Sequence, residues 1–164
     1  MRIEPTEQPE GGPPGKPLLD NPVKVALDIP LFYATERGPV PWHHSIICGK
    51  AFADTVLKEC ERLMQDRGLG LVHLGVYNPR QARRKDGTII QPPRWSNHAY
   101  GEAMDFKGVI TESGEGDFLE VADMESEVLN KIIESCRSAI EAVGRAPEIV
   151  DEGSWYHIGL WPRR

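Results

Sequence analysis

The stretch Ser96-Asn97-His98-Ala99-Tyr100-Gly101-Glu102-Ala103-Met104-Asp105-Phe106 holds the densest grouping of chemistry-bearing side chains in the chain. If Glu102 to Val109 forms a strand, Met104 and Phe106 point to one face and Ala103 and Asp105 to the other. The apolar pair then faces the core. Asp105 faces a cleft, and small Ala103 leaves room beside it. Gly101 lets the backbone turn between His98 and Asp105, so both can converge on one ion. A C-terminal strand from Trp155 to Trp161 repeats the pattern: Tyr156, Ile158 and Leu160 form one face, and Trp155, His157, Gly159 and Trp161 the other. Two imidazoles and one carboxylate are a common ligand set for catalytic zinc, with a fourth position left for water whose pKa falls to ~7. His98, Asp105 and His157 are therefore the expected metal ligands, and Zn2+ the expected cofactor.

Such water needs a carboxylate to take its proton. Glu152, shortly before His157, is the first candidate and Asp151 the second. A tetrahedral intermediate also needs a cation beside its oxyanion. Arg80, which follows an apolar strand pattern, is placed to reach the cleft, with Arg83 and Arg84 as alternatives. Trp155 is on the His157 face and could flank a substrate. His43 and His44 have the wrong register for one helix face and read as structural or surface residues. His73 lies opposite Val72, Leu74 and Val76, as a cleft or surface residue.

These side chains need a scaffold. Residues 1–22, with six prolines and three glycines, read as a flexible arm. Residues 23–164 read as one domain. Val23 to Cys48 reads as extended chain wrapping it. Phe52, Val56, Cys60 and Leu63 recur at helical spacing from Gly49 to Arg67, and Gly68 closes that helix. Leu69 to Tyr77 reads as a strand, and Asn78 to Ser96 as a polar, basic loop. Thr111 to Asp117 is a Gly/Glu-rich turn. A second helix is expected from about Met124 to Val143, with Leu129, Ile132, Ile133, Cys136, Ile140 and Val143 on one stripe. A short strand near Ile149 precedes the last one. The order α, β, β, α, β, β predicts an α+β domain with helices on one side of a mainly antiparallel sheet.

The 164 residues suit a single core, and 40% hydrophobic with 27% charged residues fits a globular protein. The net charge of -6 argues against nucleic-acid binding through phosphates, although a local basic run spans Arg80 to Lys85. No window is long and apolar enough to cross a bilayer. Met1 to Pro22 lacks the apolar centre of a secretory signal. The three cysteines, Cys48, Cys60 and Cys136, form no CxxC pair, and Cys60 and Cys136 fall on apolar helix faces as buried small hydrophobes.

The pattern Ser-x-His-x-x-Gly-x-Ala-x-Asp-Phe, with a distant aromatic and His on the last strand, resembles the D-Ala-D-Ala metallopeptidase family. Gly75-Val76-Tyr77-Asn78-Pro79-Arg80 ahead of Ser96 is closest to the extensin-like carboxy-terminal domain within it. The resemblance covers roughly Gly49 to Trp161. It implies the zinc fold shared with the Hedgehog signalling domain, and His98, Asp105 and His157 as zinc ligands. It implies Arg80 as the substrate- or oxyanion-binding arginine, and Ser96 and Tyr77 as substrate contacts. In the dipeptidases of the family the catalytic acid stands three residues before the last histidine, where this chain has Ser154; Glu152 stands five before.

The implied activity is hydrolysis of peptide bonds in peptidoglycan stem peptides, as a carboxypeptidase or an endopeptidase. Such a substrate lies in the periplasm or outside the cell. With no leader in view, the expectation is a delivered antibacterial effector or a lysin, whose partners would include a delivery system or an immunity protein. The rival reading is a non-catalytic zinc domain that binds a cell-wall peptide or a protein partner.

Overall fold

The computed structural model describes residues 1–111 and 117–161. In chain order the strands are β1 (Arg2–Pro5), β2 (Pro22–Ala26), β3 (Leu31–Thr35), β4 (Gly38–Pro41) and β5 (Ile46–Gly49). A helical run follows, composed of α1 (Lys50–Phe52), a π-helical stretch (Ala53–Leu57) and α2 (Lys58–Gln65). Then come β6 (Leu69–His73), a 3-10 turn (Asn97–Tyr100), β7 (Ala103–Thr111), β8 (Leu119–Glu120), α3 (Ser126–Ala142), β9 (Pro147–Asp151) and β10 (Tyr156–Leu160). The Gly/Glu-rich turn expected after Thr111 lies mostly at 112–116, outside the described residues.

The fold is α+β. A three-stranded antiparallel sheet has the order β1-β2-β5. The larger, seven-stranded sheet runs β4-β3-β6-β7-β10-β9, with β8 beside β7. It is mixed rather than purely antiparallel, because β3 and β6 pair in parallel. The chain between them passes through β4, β5 and the helical run, a crossover long enough for parallel pairing.

The first 48 residues are more ordered than their composition predicts. Arg2–Pro5 is no flexible arm: it adds to the edge of β2 in register Ile3↔Val25. Gln8 then exchanges two hydrogen bonds with the backbone of buried Leu19, Nε2 donating at 2.8 Å and Oε1 accepting at 2.9 Å. Four residues of alternation are too short to stand out against a proline-rich segment.

Both long helices form where apolar periodicity places them. Phe52, Val56, Cys60 and Leu63 are all buried, and Gly68, at φ +63, supplies the left-handed turn that ends the run. Ile132, Ile133, Cys136 and Ile140 are the buried stripe of α3. Val143, expected on that stripe, is exposed, because α3 ends at Ala142 and Gly144 turns the chain away. The two helices meet through Cys60 and Cys136, free thiols 3.9 Å apart.

Both helices cover one face of the large sheet. Leu71, Met104, Phe106, Val109, Ile158 and Leu160 join α2 and α3 in one core. A bulge opposite Val72/His73 shifts the β6–β7 register, so Phe106 and Val109 both face the helices although three residues apart. Gly108 at the bulge admits no side chain, since a Cβ would lie 2.0 Å from the carbonyl oxygen of Leu119. The opposite face carries a smaller cluster of Phe32, Ala34, Val72 and Ile110.

β6 ends at His73 rather than Tyr77, and Gly75, at φ +138, turns the chain out of the sheet. His73 is neither at the cleft nor on the surface. It is buried against Tyr33 and Trp42, each ring centroid 5.5 Å away, and its ring nitrogens have no hydrogen-bond partner. Burial pushes its imidazole down to about 4.

A buried ion pair joins the two ends of the domain. The Arg145 guanidinium reaches Glu102 at 2.5 Å and the carbonyl of Trp161 at 2.7 Å, with both side chains 5% exposed. Removing one partner strands a buried charge, so Arg145→Leu should lower the unfolding free energy by about 3–5 kcal/mol in urea titrations.

His73 gives a second expectation. Its folded pKa lies below the ordinary 6.5, so the unfolded chain binds more protons between these values, and stability falls as pH drops from about 6.5 to about 4. The full window is worth about 3 kcal/mol. His73→Phe should flatten that acid limb when both proteins are measured with chelator present. An equally steep limb in the variant would contradict the assignment.

Candidate metal centre

Three backbone segments build the site. Ser96 is extended and leads into the 3-10 turn Asn97–Tyr100, which carries His98 inward. Gly101 closes this turn in the left-handed region at φ +65, packed so tightly that a Cβ would lie 2.9 Å from Leu19 and 3.0 Å from the backbone nitrogen of Gly49. β7 supplies Asp105 on the face away from the helices. β10 supplies His157, which pairs directly opposite Asp105. Residues facing each other across a ladder project to the same side, so the carboxylate and imidazole must meet.

His98 Nδ1 lies 2.8 Å from the carbonyl oxygen of Val76. A carbonyl only accepts, so Nδ1 carries a proton, and Nε2 is the nitrogen that would face a metal ion. Nε2 is 3.1 Å from Asp105 Oδ1, and His157 Nδ1 is 3.5 Å from the same oxygen. The ligating atoms of all three residues fall within 4.8 Å of one another. Bonds of ~2.0–2.1 Å to a tetrahedral ion separate its ligands by about 3.4 Å, so this group could hold a metal ion.

Glu148 completes the arrangement and is absent from the expected site. Its Oε1 stands 2.8 Å from His157 Nε2, in ion-pair contact off the line of a straight hydrogen bond. This is the outer carboxylate that orients a ligand histidine and leaves its other nitrogen free. Strand alternation was the available signal: Glu148 and Glu152 share parity on the β9 side, while Ile149 packs on the core.

Electrostatics without a metal reflect the same contacts. Burial pushes the Asp105 carboxyl up, but hydrogen bonds and charge from His157 and His98 outweigh this and hold it well below the usual carboxylate range. Burial pushes the His157 imidazole down, but Asp105 and Glu148 outweigh it and lift it to about 9.

The triad lines a cleft of about 480 Å3. Glu152, Arg80, Ser96 and Trp155 line the same cleft. Arg80 is tied to Ser96, whose backbone nitrogen donates to its carbonyl at 3.0 Å. Arg80 Nε, Ser96 Oγ and the Nδ2 of Asn97 are buried and make no hydrogen bond to protein. Asn97 is a further cleft residue that spacing alone did not reveal.

Two expected residues are not brought in. Asp151 has the opposite parity to Glu148 and Glu152, is exposed, and is occupied by the turn, accepting from the Gly153 backbone at 2.8 Å and the Tyr156 hydroxyl at 3.4 Å. Tyr77 does not line the cleft; Lys16 covers it, with Nζ 3.4 Å from its hydroxyl. His43 and His44 are exposed, as expected of surface residues, and His44 packs on Trp42 at 5.1 Å.

No protein-family model, curated protein or solved structure matches the chain.

Metal titration tests it. His157→Ala should abolish tight binding of a divalent ion, and Glu148→Gln should weaken it about 10–100-fold. Binding must displace the His157 proton, so affinity should rise about tenfold per unit between pH 7 and the pKa near 9. A pH-independent affinity would place the ion elsewhere.

Proposed function

We propose that the chain is a zinc-dependent peptidase of the D-Ala-D-Ala metallopeptidase type, with the Hedgehog/DD-peptidase fold, acting on stem peptides of bacterial peptidoglycan. One observation carries the reading: His98, Asp105 and His157 meet in a cleft that also holds Glu152 and Arg80. A pair of imidazoles with one carboxylate suits zinc better than magnesium or calcium, which take oxygen ligands.

Bound zinc would supply Lewis acidity toward a peptide carbonyl and acidify water at neutral pH. The protein's own groups do the rest. Glu152 accepts the proton and returns it to the leaving amine. Arg80 offsets negative charge on the carbonyl oxygen or on a terminal carboxylate, and its unpartnered Nε is a donor in waiting. Ser96 offers a second such group, and Trp155 flanks the peptide. Glu148 holds the His157 ring so that Nδ1 stays turned toward Asp105. Asp151, outside the cleft, has no part in this scheme.

The substrate puts the site of action outside the bacterial cytoplasmic membrane, as for a delivered effector or lysin. Expression with a periplasmic leader should be toxic, and expression without one should not; equal toxicity from the cytosol would contradict this.

The enzymatic test is release of D-Ala or cleavage of cross-linked muropeptides by the zinc-loaded protein. Glu152→Gln should lower turnover about 10^2–10^4-fold while zinc affinity stays within about threefold. A wild-type protein that binds zinc tightly and cuts no muropeptide would overturn the peptidase reading in favour of a non-catalytic zinc domain.

A further inference from the structure

The cleft that holds the triad is also lined by a cluster of cations. Arg80, Arg83, Arg84, Lys85 and Arg94 all line it. The chain as a whole carries a net charge of -6, so this cluster does not follow from a basic composition. Among the described residues, none of the five is in an ion pair with an acid of the chain. Of the acids in the same cleft, Asp105 and Glu148 are engaged by His98 and His157, which leaves Glu152 as the one carboxylate there without an ion pair among the described residues.

The cations stand on a built element. Residues 81–95 fold back as a narrow antiparallel arm, with bridges Gln81↔Trp95 and Arg83↔Ile89. Ala82 donates to Arg94 at 2.7 Å, Arg84 to Thr88 at 2.8 Å and Ile90 to Ala82 at 3.0 Å, all through backbone groups. Asp86, the arm's one acid, is consumed at the tip by the Thr88 backbone (2.9 Å) and hydroxyl (2.6 Å). It makes no ion pair with the arm's arginines. The guanidinium carbon of Arg94 lies 5.2 Å from the centroid of the Trp161 ring, in cation–π contact.

We infer that this arm determines specificity: Arg83, Arg84, Lys85 and Arg94 bind carboxylates remote from the reacting bond, so the cleft selects peptides that carry several acidic groups. The inference rests on the reading of the cleft as a peptide site. Phosphate polymers are disfavoured because the rest of the molecule repels a long polyanion.

The test is binding, not turnover. Fluorescein-labelled peptides of one length, with zero to three free carboxylates and the others amidated, are titrated with the full zinc-loaded chain by anisotropy. Affinity should rise about threefold to fivefold per carboxylate at low salt and lose most of that gradient at high salt. Arg83→Gln/Arg84→Gln should flatten the gradient while the fully amidated peptide binds unchanged. Both positions are exposed, and an unaltered zinc affinity verifies that the variant is folded. Equal affinity for all peptides would overturn the inference. So would an equal loss for neutral and acidic peptides in the variant, or tighter binding of a single-stranded oligonucleotide of matching charge. Cleavage of the same peptides is scored separately. Graded binding without cleavage removes the peptidase reading and keeps the arm; cleavage without grading does the reverse.

Discussion

The pairing of β10 with β7 in the register His157↔Asp105 is the constraint on which the site depends. Side chains alternate along a strand, so a slip of one residue would turn His157 toward the helices and put Ile158 in the cleft. That slip is opposed by burial. Met104, Phe106, Ile158 and Leu160 are fully buried on the helix face, and exposing each costs about 1.5–3 kcal/mol. Gly159 reinforces the same choice, because a Cβ there would lie 2.8 Å from the carbonyl oxygen of Glu102 and 2.9 Å from the Cβ of Ala103. Once β10 is fixed, its pairing with β9 in the register Gly159↔Glu148 brings the outer carboxylate to His157. The hydrophobic core thus sets the polar geometry.

A cluster of ionisable groups on a mostly buried surface is costly unless its charges answer one another. Here Asp105 faces two imidazoles, and Glu148 faces the second of these from behind. In the absence of a metal, a proton held on His157 between two carboxylates balances the cluster. The same position is where a divalent cation would bring positive charge, so proton and metal compete for one electrostatic niche. His98 differs, since its Nδ1 is committed to the Val76 carbonyl and its ring is fixed by backbone rather than by a carboxylate.

What was legible from residues alone follows from the length over which each pattern repeats. The stripe of α3 and the alternation of β7 and β10 extend far enough to declare both element and face, and the two strands turn Asp105 and His157 to one side. β1 has four residues and a proline, and its order comes from β2, a partner twenty residues away in sequence. The parallel β3–β6 pair is a matter of topology, which periodicity does not encode. Glu148 was hidden because its strand is short and its role comes only from β10 beside it. Tyr77 sits in a motif that suggests a substrate contact, yet Gly75 diverts the chain before it reaches the cleft and Lys16 covers it. Asp151 and Glu152 are chemically alike, and only strand parity separates them.

The arm 81–95 leaves the domain and returns to it at two adjoining points. Asn78 donates to the His98 carbonyl at 3.1 Å, and Ser96 donates to the Arg80 carbonyl at 3.0 Å. Both clasps are made by main chain, and neither uses a side chain of the arm. The segment between them is therefore a cassette: its length and residues can be exchanged by insertion, deletion or grafting while the stem holds His98 in place. The arm can then diverge among descendants of this chain without any change to the three residues that could hold a metal ion.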